Sequence, residues 1–202
     1  MFHALRFLQK SETEGDYFEF GVFQGRSLAT AYKIHSQMDT AARHFYAFDS
    51  FSGLPHLSAD DTLEDYSVFH EGQFAVSKAD VARNLVNNGV PEADVTLVEG
   101  FYDTSLTDPA TLNAVGDAKA ALVHIDCDLY SSAVPCLRFI EPRMVDGAIL
   151  MFDDWFCYRG RADQGVHRAF DEWAAEAPYT FTEYAKYTWS GIMFICNTRA
   201  DA

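Results

Sequence analysis

The chain has 202 residues, 30 acids against 15 Lys and Arg, a formal charge of −15 and an apolar fraction of 49%. That length suits one sizeable core and one domain. The charge argues against a nucleic-acid backbone or an anionic membrane as partner, since both need clustered Lys and Arg.

The opening stretch, residues 1–16, is too short and too soon polar for a signal peptide. No apolar run reaches the roughly 20 residues of a membrane span. "DYFEFGV" reads as a first strand ending at Gly21, and Glu19 within it is an acid that is costly to bury unless paired or ligand-bound. "GRSLATAYKIHSQM" reads as a helix with Leu28 and Tyr32 on one face. "HFYAFD" is a second strand ending at Asp49. A long polar and aromatic connection follows, "SFSGLPHLSADDTLEDYSVFHEGQF". Its length predicts a lid-like insertion over about residues 52–76.

Ser77 and Asp80 form a capping-box signature for "KADVARNLVNNG", which Gly89 closes. "DVTLVEG" is the third strand, and "DPATLNAVGD" a helix with Pro109 in its first turn. "ALVHID" is the fourth strand, and "SSAVPCLRFIEPRM" a helix that places Pro135 in its first turns. "GAILMFDD" is the fifth strand, and "QGVHRAFDEWAAEA" an amphipathic helix. "YTFTEYAKYTWSGIMFICN" gives two strands joined around Ser190 and Gly191.

Strands alternating with helices predict an α/β fold: a seven-stranded, mostly parallel sheet covered on both faces, with a C-terminal antiparallel hairpin. Such sheets bind ligands at the carboxyl ends of their strands. Asp49, Asp126, Asp153 and Asp154 all fall at strand ends and are expected to face one crevice. Carboxylates converging from neighbouring strand ends make a hard oxygen site that suits Mg²⁺ rather than zinc. The bland alternative has Asp153 capping the next turn, with Asp126 alone functional.

Asp128 is a fourth ligand, a general base or a helix N-cap. Asp49 sits where Rossmann-like sheets place an acid that accepts from a ribose diol, or it caps the turn "DSFSG". Gly21 and Gly25 let backbone approach a ligand closely, or simply make a tight turn; G-x-G-x-x-G is absent. His124 reads as a core or supporting histidine, while His56, His70 and His167 have no assigned role. Tyr66, Trp155, Phe156 and Tyr158 either stack on a flat substrate or sugar face or pack the lid. Cys127, Cys136, Cys157 and Cys196 lie on or beside apolar segments without CxxC spacing, which predicts reduced thiols, no zinc and a cytoplasmic protein.

At this point the stretches "FEFGVFQGRS", "FYAFDSFSGLP", "GQFAVSKADVARNLVNNGV", "VEGFYDTSL", "HIDCDLYSSAVPCLRFIEPRMVDGAILMFDDW" and "GVHRAFDEW" line up in order. On them the chain resembles the macrocin O-methyltransferase family, which methylates hydroxyls on antibiotic sugars with S-adenosylmethionine and Mg²⁺. The resemblance implies the class I methyltransferase sheet. It implies that Glu19, Gly21, Gly25 and Ser27 shape the pocket for the methionine part of the cofactor, that Asp49 holds the ribose, and that Gly100 and Phe101 flank the adenine. Asp126, Asp153 and Asp154 match the family's metal ligands, and Asp128 its general base.

Family members carry a longer N-terminal segment that covers the active site and builds the oligomer, so acceptor and assembly, a homo-oligomer included, stay open. The expected activity is Mg²⁺-dependent methylation of a small hydroxylated acceptor such as a sugar or vicinal diol. The alternatives are metal-independent methyl transfer, S-adenosylmethionine binding without catalysis, and a D-x-D phosphatase.

Overall fold

The computed structural model describes residues 1–63 and 68–199. Tyr66 and part of the expected lid lie outside the described residues. Four short strands run parallel through the middle: β1 (Asp16–Phe20), β2 (Phe45–Asp49), β4 (Ala120–Ile125) and β5 (Met144–Phe152). Every residue of β4 is buried, which is what near-continuous apolar runs achieve when helices cover both faces of a parallel sheet. With β3 (Val95–Glu99), β6 (Tyr179–Tyr187) and β7 (Gly191–Thr198), the sheet has seven strands in the order β3-β2-β1-β4-β5-β7-β6. β7 is the antiparallel strand. It joins β5 and leaves its hairpin partner β6 at the edge.

Side-chain alternation splits the core in two. Tyr17, Phe45, Ala47, Leu122, Ile149 and Met151 pack under α1 (Phe2–Lys10), α2 (Arg26–His35) and α3 (Lys78–Asn87). Phe18, Phe20, Phe48, Val123, Ile125, Leu150 and Phe152 pack under α5 (Pro109–Val115), α6 (Tyr130–Ile140) and α7 (Gly165–Glu176). Ser77 caps α3 as its spacing predicts, accepting from the Asp80 N–H at 3.2 Å. Two elements go beyond the sequence reading. One is α1, whose Ala4, Leu5 and Leu8 share a buried face; the other is the single turn α4 (Tyr102–Ser105). Both are too short for periodicity to mark. No helix among the described residues is long and apolar enough to cross a membrane.

The described parts of the long insertion are docked. Leu54 N–H donates to the Gln73 carbonyl and Gly72 N–H to the Leu54 carbonyl, each at 2.9 Å, which closes the neck. Buried Asp61 accepts from Ser131 N–H at 2.9 Å, at the start of α6.

The strand order reverses between β1 and β4, which opens a crevice at their carboxyl ends. The two strands stay paired to their last residues: Asp126 N–H donates to the Phe20 carbonyl at 2.8 Å. Gly21 follows with φ 92°, and a Cβ there would fall 1.6 Å from the Asp126 carbonyl oxygen. Gly21→Ala is therefore expected to cost at least about 3 kcal/mol in urea denaturation. Gly89→Ala, at φ 83° with open space around it, should cost only about 1 kcal/mol. Equal losses would mean that backbone conformation, and not the approach of β4, dictates the glycine.

Candidate functional site

A cavity of about 960 Å³ opens at this end of the sheet, and Gly21, Asp49, Phe101, Asp126, Asp128, Asp153 and Asp154 all line it. Asp126 follows β4, while Asp153 and Asp154 follow β5. One carboxylate oxygen from each lies within 4.8 Å of the others. No Lys or Arg among the described residues pairs with them. Burial first, then the charges of Asp154 and Asp153, holds the Asp126 proton well above the usual carboxylate range. Burial and Asp153 push Asp154 up to about 7. Three crowded oxygen donors without a counter-charge are the donor set of a hard divalent cation, so the residues present fit Mg²⁺.

The alternatives left open by the sequence now separate. No backbone N–H among the described residues donates to the Asp153 carboxylate, so Asp153 does not cap a turn. Asp128 does not cap α6, whose N-cap is Leu129. Instead Asp128 sits at φ 65°, buried at the cavity wall. Its N–H donates to Asp154 Oδ2 at 3.2 Å, and Cys157 Sγ lies 3.6 Å from Oδ1 of the same residue. Burial, then Asp154 and Asp153, raises the Asp128 pKa well above the ordinary range.

Asp49 caps its turn: Oδ1 accepts from Phe51 N–H at 2.7 Å. Oδ2 accepts from Val22 N–H at 2.7 Å and Phe23 N–H at 3.1 Å, which fixes the loop after β1. A carboxylate has about four lone-pair sites, so Asp49 keeps acceptor capacity toward the cavity.

Other expected residues stand behind the wall rather than on it. Glu19 is wholly buried. It accepts from the Tyr17 hydroxyl at 2.5 Å and from the Ser27 hydroxyl, the pairing that its place in an apolar strand demands. Burial outweighs these bonds and lifts its pKa to about 7. Gly25 lets α2 meet α3: a Cβ would come 3.0 Å from a Leu85 methyl. Gly100, at φ 135°, turns the chain beside Ser105 so that Phe101 reaches the cavity.

Trp155 and Tyr158 are packing residues. Trp155 stacks on His167 with centroids 4.0 Å apart, and the Tyr158 hydroxyl donates to the Asp61 carbonyl at 3.1 Å. Phe156 is half-buried, and the Lys186 ammonium stands 5.3 Å from its ring. His124 is buried without a partner on either ring nitrogen, and burial lowers its pKa to about 4. His56 and His70 lie on the exposed insertion, where His56 Nδ1 is 3.1 Å from Glu71.

Sequence reasoning missed Phe23 and Phe74. Both line the cavity and are exposed, with rings edge to face at 5.5 Å. Both are left-handed, at φ 46° and 64°, a conformation bulky residues rarely adopt outside functional sites. Nothing in the sequence signals a positive φ at a phenylalanine.

Residues 2–180 match the family model for macrocin-O-methyltransferase. A tetracenomycin-class 4'-O-methyltransferase of Streptomyces olivaceus, named for a dimethoxy-rhamnosyl substrate, is 28% identical over 70% of this chain and 53% of its own. Mycinamicin III 3''-O-methyltransferase of Micromonospora griseorubida is 28% identical over 76% of this chain and 60% of its own. The chain thus spans little more than half the length of these curated relatives. Among solved structures, the O-methyltransferase NovP superposes with TM-score 0.74 at 22% identity, over 98% of this chain and 78% of that one. Calicheamicin methyltransferase CalS11 superposes with TM-score 0.74 at 24% identity, over 96% and 76%. At these identities the likeness is one of fold, and that fold is the class I methyltransferase sheet.

The Glu19 environment yields a pH test. Folded, Glu19 titrates at about 7 against 4.5 for a free carboxyl, so its share of stability is intact below pH 4.5 and is lost as pH climbs through 7. In EDTA, stability should fall between pH 5 and 8. Glu19→Gln should flatten that fall by on the order of 3 kcal/mol, read from urea melts at the two pH values. Parallel slopes in the two proteins would count against a buried, charge-averse Glu19.

Proposed function

This chain belongs to the macrocin-O-methyltransferase family, and we propose that it moves a methyl group from S-adenosylmethionine to a hydroxyl of a small molecule, with Mg²⁺ held by Asp126, Asp153 and Asp154. The observation that carries the reading is the three-carboxylate cluster, with its oxygens within 4.8 Å, in the same cavity as Asp49 and Asp128. The acceptor class proposed is a sugar or vicinal diol, because one of the named relatives is named for a rhamnosyl substrate and two neighbouring hydroxyls can chelate one cation.

When bound, S-adenosylmethionine supplies the electrophilic methyl and Mg²⁺ the charge that acidifies a hydroxyl in contact with it. The chain does the rest. Asp49, already fixed by three backbone N–H groups, holds the ribose hydroxyls with its remaining lone pairs. Phe101 flanks the adenine from its place on the cavity wall. Gly21 sets the floor between β1 and β4, and behind it Glu19, Ser27 and Gly25 fix the loop that faces the methionine end. Asp128 would take the proton of the acceptor hydroxyl as that oxygen is methylated. Its buried setting raises its basicity toward that task. Methyl transfer is an in-line displacement, so a rigid cavity that aligns the two substrates supplies much of the acceleration.

Calorimetry with S-adenosylhomocysteine is expected to show binding both with Mg²⁺ and with EDTA; no binding in either would overturn the reading. Asp153→Ala should weaken Mg²⁺ at least about tenfold. Turnover that survives EDTA would remove the metal from the mechanism. Asp128→Asn should bind S-adenosylhomocysteine normally and lose about 100-fold or more in turnover on a methylatable rhamnoside or catechol. Unimpaired turnover in that variant would exclude Asp128 as the base.

A further inference from the structure

Tyr187 ends β6, beyond residue 180 where the match to the family model stops. Its neighbour Lys186 turns to the opposite face, over Phe156. Tyr187 therefore joins the face that carries Tyr17 and Met151. Its ring passes over Gly191, where a Cβ would fall 2.6 Å from two ring carbons. Its hydroxyl is shut off from solvent and has no hydrogen-bond partner. Tyr187 pairs with Gly191 on β7, and the next residue, Ile192, pairs with Phe152, so the ring lying over Gly191 crosses β7 toward the end of β5, from which Asp153 follows. A buried hydroxyl left unpaired is destabilising, and in a folded protein it calls for a reason.

We infer that Tyr187 is a positioning residue of the carboxylate cluster: its O–H donates toward Asp153 through one water and orients that carboxylate for the cation. This rests on the metal reading above. The same face already shows the arrangement once, where the Tyr17 hydroxyl donates to Glu19 at 2.5 Å. A phenol suits the task because it stays protonated at neutral pH and can orient a carboxylate without cancelling its charge. A Lys or Arg in its place would neutralise the cluster and repel the cation. Partners of this kind set the affinity of metal sites almost as firmly as the ligands themselves.

Tyr187→Phe keeps the ring over Gly191 and removes only the donor. Three measurements on the full chain test it: Mg²⁺ affinity by calorimetry, S-adenosylhomocysteine affinity in EDTA, and thermal unfolding in EDTA. The expected result is a Kd for Mg²⁺ raised about tenfold, with S-adenosylhomocysteine binding unchanged. The metal-free Tm should be equal or higher, since an unpaired buried hydroxyl has gone. A Kd within about twofold of the wild type would overturn the inference and leave Tyr187 as packing. Weaker Mg²⁺ binding together with a lower metal-free Tm would also overturn it, by marking a structural role. A wild-type protein that binds S-adenosylhomocysteine but no Mg²⁺ would overturn the metal reading itself, and is told apart from the first two outcomes by the unmutated chain.

Discussion

A carbon placed on Gly21 would sit 1.6 Å from the Asp126 carbonyl oxygen. That contact is the closest approach on which the cavity depends. β1 and β4 are neighbours although more than 100 positions separate them in the sequence, because the sheet grows from β1 to β3 on one side and from β4 to β5 on the other. Where the order reverses, no crossover helix fills the space above the strand ends. Gly21 lets the two ends stay paired there, and Asp126 emerges at the floor of the gap. Asp49 then holds the loop after Gly21 through the Val22 and Phe23 amides, so the second strand fixes the exit of the first.

The second constraint is charge. Asp126, Asp128, Asp153 and Asp154 crowd a partly dry space, with Glu19 buried beneath them. Burial is the largest cause of a raised pKa at every one of them, and the charge of Asp153 adds to the rise at Glu19, Asp126, Asp128 and Asp154. Such a cluster costs stability, and the apolar layers on both sides offset it: Phe18, Phe20, Phe48 and Phe139 form one set of packed rings. The balance fits a site whose acids are held for a bound cation rather than for the fold.

The insertion ties the acid cluster to the mouth of the cavity. Asp61 on the insertion accepts from Ser131 at the start of α6, the helix that follows Asp128. The neck at Leu54, Gly72 and Gln73 brings Phe74 against Phe23. The wall that meets an incoming molecule is thus built from two loops far apart in sequence, each with a phenylalanine in a left-handed conformation.

Much of this was legible in the sequence. Apolar runs of strand length, stopped by acids, announced the parallel sheet and the end of it that would be polar; the cap at Ser77 and the first-turn proline at Pro109 marked two boundaries. The residue types at Asp126, Asp153 and Asp154 were enough to expect carboxylates converging from two strand ends. Three-dimensional packing decided the rest. It folded residues 2–10 into a helix that only tertiary contact stabilises, and it put Glu19, Gly25, Ser27 and Gly100 behind the cavity wall instead of on it. It assigned Trp155 and Tyr158 to packing and brought Phe23 and Phe74 together on the cavity wall. The physical reason is one of range. Periodicity and caps are set by neighbours a few residues apart, so the sequence carries them. Which side chain reaches a shared cavity is set by strand order and close approach between distant segments, and those exist only once the sheet has formed.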